Sequence, residues 1–293
     1  MVQPSPISQH GGARIELPGR YGPIAALRGR PAEPALGATA LLLPGFTGSK
    51  EDFVPLLDEI ASAGIGALAI DLPGQYESPG PDDETAYLPD ALGEPIAELI
   101  ETLTSGGEHI LLLGHSYGGL VARGAVLAGA RVVGLTLLDS GPGELPPGYR
   151  RTMLDVQEPV LRAEGIQAAE HMRAQLDAAA PGWANAPQAL KDFLHTRFVR
   201  SSPSAILGMA DGLRHEPDRV TKLSHALRAL DAPCLVLCGA DDDAWSVASQ
   251  RDMADRLDAD FAVIPGAKHS PNVENPAALL GALLPTWRAW LQN

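Results

Sequence analysis

Five consecutive residues, Gly114-His115-Ser116-Tyr117-Gly118, carry the strongest chemical signal in this 293-residue sequence. They stand between the apolar run Ile110–Leu113 and the helix-like stretch Leu120–Leu127. A serine hydroxyl is a weak nucleophile at neutral pH, and a sharp strand-to-helix turn exposes it for attack. Glycines two positions either side remove the side chains that would collide with so tight a bend. The following helix aims free N–H groups and the positive end of its dipole at the serine, so an oxyanion forming there meets charge already in place. The Tyr117 amide is one such donor. Gly-x-Ser-x-Gly alone is also the composition of an ordinary glycine-rich turn; the strand before it and the helix after it select the nucleophile reading.

Such a turn needs a sheet to carry it, and the rest of the chain supplies the pattern. Short apolar runs alternate with helical spacing, as in βαβ units around a mostly parallel sheet. Arg14–Leu17 and Pro23–Leu27 read as a leading hairpin, Ala38–Leu43 as a strand covered on both faces, and Ser49–Ala63 as a helix stopped by Gly64. Strand Ile65–Asp71, helix Tyr87–Leu103, strand Ile110–Gly114, helix Tyr117–Ala128 and strand Val132–Leu138 follow. The rhythm then breaks. Between Pro142 and about His225 no strand-like run occurs, and helical stretches around Met153–Leu161 and Phe193–Phe198 are interrupted by Pro159, Gly165, Pro181, Pro187 and Pro203. Strand Cys234–Gly239, helix Val247–Leu257, strand Phe261–Ile264 and a last helix, capped by Asn275 with Pro276 in its first position, complete the pattern. No strand is followed by Gly-x-Gly-x-x-Gly spacing with a downstream acid, which disfavours a dinucleotide site.

On the serine turn in its strand–turn–helix setting, the chain resembles the α/β-hydrolase family over nearly its whole length. The resemblance implies an α/β fold: a mostly parallel eight-stranded sheet flanked by helices, with a helical lid inserted after the sixth strand. The core would be residues 1–141 and 226–293, and the lid 142–225. It also implies the chain order serine, acid, histidine. In Leu41-Leu42-Leu43-Pro44-Gly45-Phe46-Thr47-Gly48 the family's loop after its third strand assigns Phe46 as the second backbone oxyanion donor, although Pro44 stands where a histidine is usual. Gly266-Ala267-Lys268-His269-Ser270-Pro271 places His269 as the general base. In Gly239-Ala240-Asp241-Asp242-Asp243 the pattern Gly-x-x-Asp selects Asp242 as the orienting acid, with Asp241 and Asp243 one residue away and Asp139 a remote alternative. Asp71-Leu72-Pro73-Gly74 resembles the family's Asp-x-x-Gly turn, which shapes the fold beneath the pocket without a catalytic role. His115 reads as packing, because its side chain points away from a serine on the same turn.

Composition narrows the rest. A net charge of -14 and no lysine- or arginine-rich run argue against nucleic acid as a partner. The 31 glycines and 26 prolines stay below the roughly 25–30% share typical of disordered chains. Met1–His10 has neither a basic nor an apolar leader pattern, and no apolar run approaches a bilayer span, so a cytoplasmic protein without membrane partners is expected. Cys234 and Cys238, on one strand at ~3.3 Å per residue, stand ~13 Å apart and read as core thiols rather than a disulfide or a metal pair. Arg150, Arg151 and Arg197 are cations that a substrate carboxylate could meet, or solvated helix residues. The expected activity is hydrolysis of a small or medium-sized carboxylic ester, thioester or lactone through an acyl-enzyme, with no metal or organic cofactor. An acyltransferase, a C–C or amide hydrolase, and a non-catalytic ligand-binding protein are the competing readings; the oligomeric state is not legible.

Overall fold

The computed structural model describes residues 4–179 and 183–292. Pro181, expected to interrupt a helix, and residues 1–3 of the Met1–His10 stretch lie outside the described residues. Eight strands form one sheet: β1 (Ala13–Leu17), β2 (Ile24–Gly29), β3 (Ala38–Leu43), β4 (Gly66–Ile70), β5 (His109–His115), β6 (Gly134–Leu138), β7 (Cys234–Gly239) and β8 (Asp260–Ile264). Their order is β1-β2-β4-β3-β5-β6-β7-β8, with β2 antiparallel to both neighbours and every other pairing parallel. This is the mostly parallel eight-stranded α/β sheet that the resemblance implied.

Side chains alternate across the sheet. On β3, Leu41 and Leu43 enter one buried cluster while Ala40 and Leu42 enter the other. Helices α1 (Val54–Ser62) and, at the chain end, α11 (Pro276–Trp290) cover the second face; α2 (Pro89–Ser105) and α3 (Tyr117–Leu127) cover the first. The expected helix over Ser49–Ala63 is instead a tight 3-10 turn, Lys50–Phe53, running into α1. Pro55 explains the difference, since it has no N–H to give the Glu51 carbonyl and the chain turns more tightly before it.

Between β6 and β7 the described residues form only helices: α4 (Tyr149–Glu164), α5 (Ile166–Ala178), α6 (Gln188–Arg200), α7 (Pro203–His215) and α8 (Val220–Leu230), besides a short turn at Trp183–Asn185. Pro159 does not interrupt α4 but sits within it, and both Pro159 and Asp155, whose carbonyl loses its intrahelical donor, are exposed. The expected boundary at 225 falls inside α8. Val220, Leu223 and Leu227 of that helix pack into the core with α3 and with α9 (Val247–Leu257), so α8 covers the sheet. Periodicity shows that a helix has an apolar face but not what covers it. Helices α4–α7 share a cluster of Leu161, Ala169, Phe198, Ile206 and Leu207, against which Phe46 packs, while Leu154 of α4 and Met209, Ala210 and Leu213 of α7 also enter the core. A further short helix, α10 (Pro271–Glu274), precedes α11, which Asn275 caps by accepting the Ala278 N–H.

Register sets the site. The chain crosses from β3 to β4 on one side and returns to β5 on the other, so the C-terminal ends of β3 and β5 flank the crevice where such sheets bind ligands. Leu43 pairs with Gly114, Leu138 with Leu237, and Gly239 with Ile264. The loops after these strands therefore leave the same edge side by side. Trp287 on α11 is fully buried and its indole N–H donates to Thr136 Oγ1 across 2.9 Å, fastening the last helix to β6. Trp287→Ala is expected to cost about 3–5 kcal/mol by denaturant unfolding; a cost below about 1 kcal/mol would show that this helix contributes little to the core.

Candidate active site

Ser116 sits between β5 and α3 with φ 54 and ψ -120, a strained conformation for any residue with a side chain. The turn is held on both sides: the Ser116 amide donates to the Leu138 carbonyl over 2.8 Å, and the Ser116 carbonyl accepts from Ser140 Oγ over 2.8 Å. A Cβ at Gly114 would press on the Gly118 carbonyl and lie 2.6 Å from Gly119 Cα; one at Gly118 would lie 2.8 Å from the Leu43 carbonyl carbon. Those contacts, rather than turn propensity alone, require the glycines.

The structure brings together three residues from three loops. His269, in the loop after β8, places Nε2 2.9 Å from Ser116 Oγ. Its Nδ1 lies 2.8 Å from Asp242 Oδ1 in the loop after β7. A carboxylate only accepts, so Nδ1 carries the hydrogen and Nε2 is the free acceptor for the serine proton. Asp242 Oδ1 also accepts the Ala244 N–H at 2.9 Å, and Oδ2 accepts from Gln250 Nε2 at 2.7 Å. Burial opposes ionisation of Asp242, but the hydrogen bond and charge of His269 and the Ala244 amide outweigh it and lower its pKa below the usual carboxylate value. Of the acidic triplet, only Asp242 faces the histidine; Asp241 is exposed, and Asp243 is exposed and pairs with Arg150 at 2.7 Å.

The loop after β3 abuts the serine. A Cβ at Gly45 would lie 3.0 Å from Ser116 Cβ, and Phe46 lines the same cavity. Tyr117 is the first residue of α3, where an amide has no intrahelical acceptor. Pro44 removes the usual histidine from the loop, and Gln75, in the turn after β4, holds it instead. Gln75 is buried, accepts the Leu72 N–H through Oε1 at 3.2 Å and donates through Nε2 to the Gly45 carbonyl at 2.8 Å. That carbonyl belongs to the same planar trans peptide as the Phe46 N–H, so fixing the oxygen fixes the opposite direction of the N–H.

Asp71 ties the two loops together beneath the pocket. Its carboxylate accepts the Lys50 backbone N–H at 2.7 Å and the Lys50 ammonium at 2.8 Å, and Glu77 takes the same ammonium at 2.7 Å. Burial works against the charge on Lys50, but Asp71 and Glu51 more than offset it and raise its pKa. Sequence reasoning did not find Lys50 or Gln75; their partners lie in a different loop and no local spacing marks them.

The site opens into a cavity of about 410 Å³ between the sheet edge and helices α4–α7. Phe46, Leu154, Phe198 and Trp245 give it apolar walls. The arginines on its wall are already paired: Arg197 with Asp52 at 2.6 Å, Arg150 with Asp243, and Arg173 with Asp177 at 2.7 Å. Arg151 turns to Glu144 and the Leu145 carbonyl. Cys234 and Cys238 are free, buried thiols, both pushed up to about 12 chiefly by burial. No helix among the described residues is long and apolar enough to cross a membrane.

The profile of the alpha/beta hydrolase family matches residues 40–282, and the chain belongs to that family. Similar solved structures include a thermophilic esterase from Thermogutta terrifontis, 22% identical with a TM-score of 0.73, aligned over 95% of this chain and 99% of that one. MenH from S. aureus is 20% identical with a TM-score of 0.70, over 92% and 99% of the two chains. E-2-(Acetamidomethylene)succinate hydrolase is 23% identical with a TM-score of 0.66, over 96% and 100%. Among curated proteins, the chloroplastic protein PHYLLO of Arabidopsis thaliana is 27% identical over a 126-position alignment that covers 41% of this chain and 7% of that much longer protein.

His115 does more than fill space. Its Nε2–H donates to the His269 carbonyl at 2.7 Å and its ring stands 5.3 Å from the His269 ring, so it holds the histidine loop against the serine turn. Burial, with the charge of His269, lowers its pKa to about 4. An unfolded chain takes up this proton near pH 6.5, whereas the folded one resists until about 4, so stability from this group is full above 6.5 and lost on acidification through that window. His115→Gln keeps a donor without the titration. Unfolding free energies at pH 7 and pH 4 should show wild type losing about 3 kcal/mol more than the variant; equal losses would contradict a buried neutral imidazole.

Proposed function

We propose that this protein is a serine hydrolase that cleaves a small or medium-sized carboxylic ester, thioester or lactone through an acyl-enzyme. The observation that carries the reading is the unbroken line Ser116 Oγ, His269 Nε2, His269 Nδ1, Asp242 Oδ1, with both contacts within hydrogen-bonding distance. Ser116 Oγ attacks the carbonyl carbon while His269 Nε2 takes its proton. The Phe46 and Tyr117 amides receive the oxyanion, and Asp242 stabilises the imidazolium and keeps the productive tautomer. Collapse expels the alcohol or thiol, which takes the proton from His269. Water then attacks the acyl-serine, with His269 again the base, and releases the acid.

Helices α4–α7 act as the lid. Their apolar cluster and the cavity they roof favour an uncharged acyl group, since each wall arginine already holds a carboxylate. The fold shared with esterases and other hydrolases supports this class of reaction and leaves the substrate to the cavity.

Ser116→Ala should abolish turnover of activated esters while leaving the thermal midpoint nearly unchanged, and a fluorophosphonate should label wild type at Ser116. An unlabelled Ser116 after long exposure would favour the ligand-binding reading. Asp242→Asn should lower kcat by about 10⁴-fold by fixing the wrong tautomer, whereas Asp241→Asn and Asp243→Asn should stay near wild type. The reverse ranking would move the acid to a neighbouring residue.

A further inference from the structure

A second aspartate lies behind the Asp242–His269 pair and has no part in the mechanism so far. Asp139, at the end of β6, is fully buried and takes a positive φ of 45. Its amide donates to the Leu237 carbonyl at 2.8 Å, and its Oδ1 accepts the Gly239 N–H at 2.8 Å. Its Oδ2 is equally buried, and no protein N–H or O–H among the described residues reaches it. One side-chain oxygen or nitrogen from each of Asp139, Asp242 and His269 lies within 4.8 Å of the other two.

Counting donors decides which acid keeps a proton. Asp242 accepts three, from His269, Ala244 and Gln250; Asp139 accepts one and leaves a bare oxygen. Two buried carboxylates this close do not both ionise, and the charge settles on the acid with more donors. A neutral Asp139 turns its bare oxygen into an O–H, and the ionised carboxylate beside it is Asp242. We propose that Asp139 is a positioning residue, a carboxylic acid that stays protonated and donates to Asp242, holding that carboxylate in line with His269. This rests on the catalytic reading of Asp242.

The other titratable groups around Asp139 are Cys238 on β7, His269 after β8 and Glu274 on α10. Cys238 stays a thiol at neutral pH, and Glu274 adds negative charge, which reinforces protonation. Burial, and then the negative charge of Asp242, raise the pKa of Asp139 well above the usual carboxylate value. The resemblance to an acid held neutral in an apolar site so that it donates a hydrogen bond is chemical, not topological.

The Asn variant separates this role from simple packing, because its amide reproduces both the acceptor and the donor of a neutral acid. Infrared difference spectra of wild type and Asp139→Asn at neutral pH should show a protonated-carboxyl C=O band present in wild type and missing from the variant. Asp139→Ala should lower kcat on an activated ester by about tenfold or more, within the roughly 100-fold that a 1 Å misplacement of a reacting group costs. Without the donor, Asp242 is more basic, holds the imidazolium longer and moves the acid limb of kcat/KM to higher pH; Asp139→Asn should restore both turnover and the acid limb. Absence of the band, or equal kinetics for the Ala and Asn variants, overturns the proposal. The band is read without turnover, so it fails or stands independently of whether Ser116 proves to be the nucleophile.

Discussion

The backbone at Ser116 is held where only glycine rests without strain, and the rest of the structure is arranged to keep it there. A φ of 54 costs about 1–3 kcal/mol at such a residue. The cost is offset by hydrogen bonds from a neighbouring strand and from Ser140, and by glycines that let β5, α3 and the loop after β3 approach closely. Because the strain is met by the sheet itself, the hydroxyl is fixed before substrate arrives. Preorganisation of this kind gives an electrostatic site its advantage over water, since the donors need no reorganisation when charge develops.

Around that point the molecule uses charge in three different ways. Lys50 and Asp71 are buried and paired, which joins the loops after β3 and β4. His115 is buried and neutral, giving its one proton to the His269 carbonyl. Asp242 is ionised because His269, Ala244 and Gln250 converge on it. On the wall of the cavity, by contrast, arginines and carboxylates of opposite sign meet in pairs, so the walls present hydrogen-bonding groups without a large net charge.

Much of this arrangement is legible in the sequence because the positions of Ser116, Asp242 and His269 are tied to short local motifs. Ser116 is announced by two glycines between a strand and a helix, and His269 by a loop between the last strand and a capped helix. Asp242 is announced less sharply: spacing leaves Asp241 and Asp243 in contention, and only the three-dimensional direction of the side chain separates them. Gln75, Lys50, His115 and Asp139 act through partners about 20 to more than 150 residues away, where periodicity carries no information. The expected end of the helical insertion at 225 falls inside α8 for the same reason, because α8 looks like its neighbours until its apolar face is seen against α3 and α9.

The central claim, that the His269 imidazole makes the Ser116 hydroxyl a nucleophile, is tested most directly by trapping the intermediate. Protein quenched during turnover of an activated ester should carry one acyl group, located by mass spectrometry on the peptide containing Ser116, and His269→Ala should accumulate it far more slowly. Product formed at the wild-type rate by the His269 variant, or an acyl group found on another residue, would contradict the account.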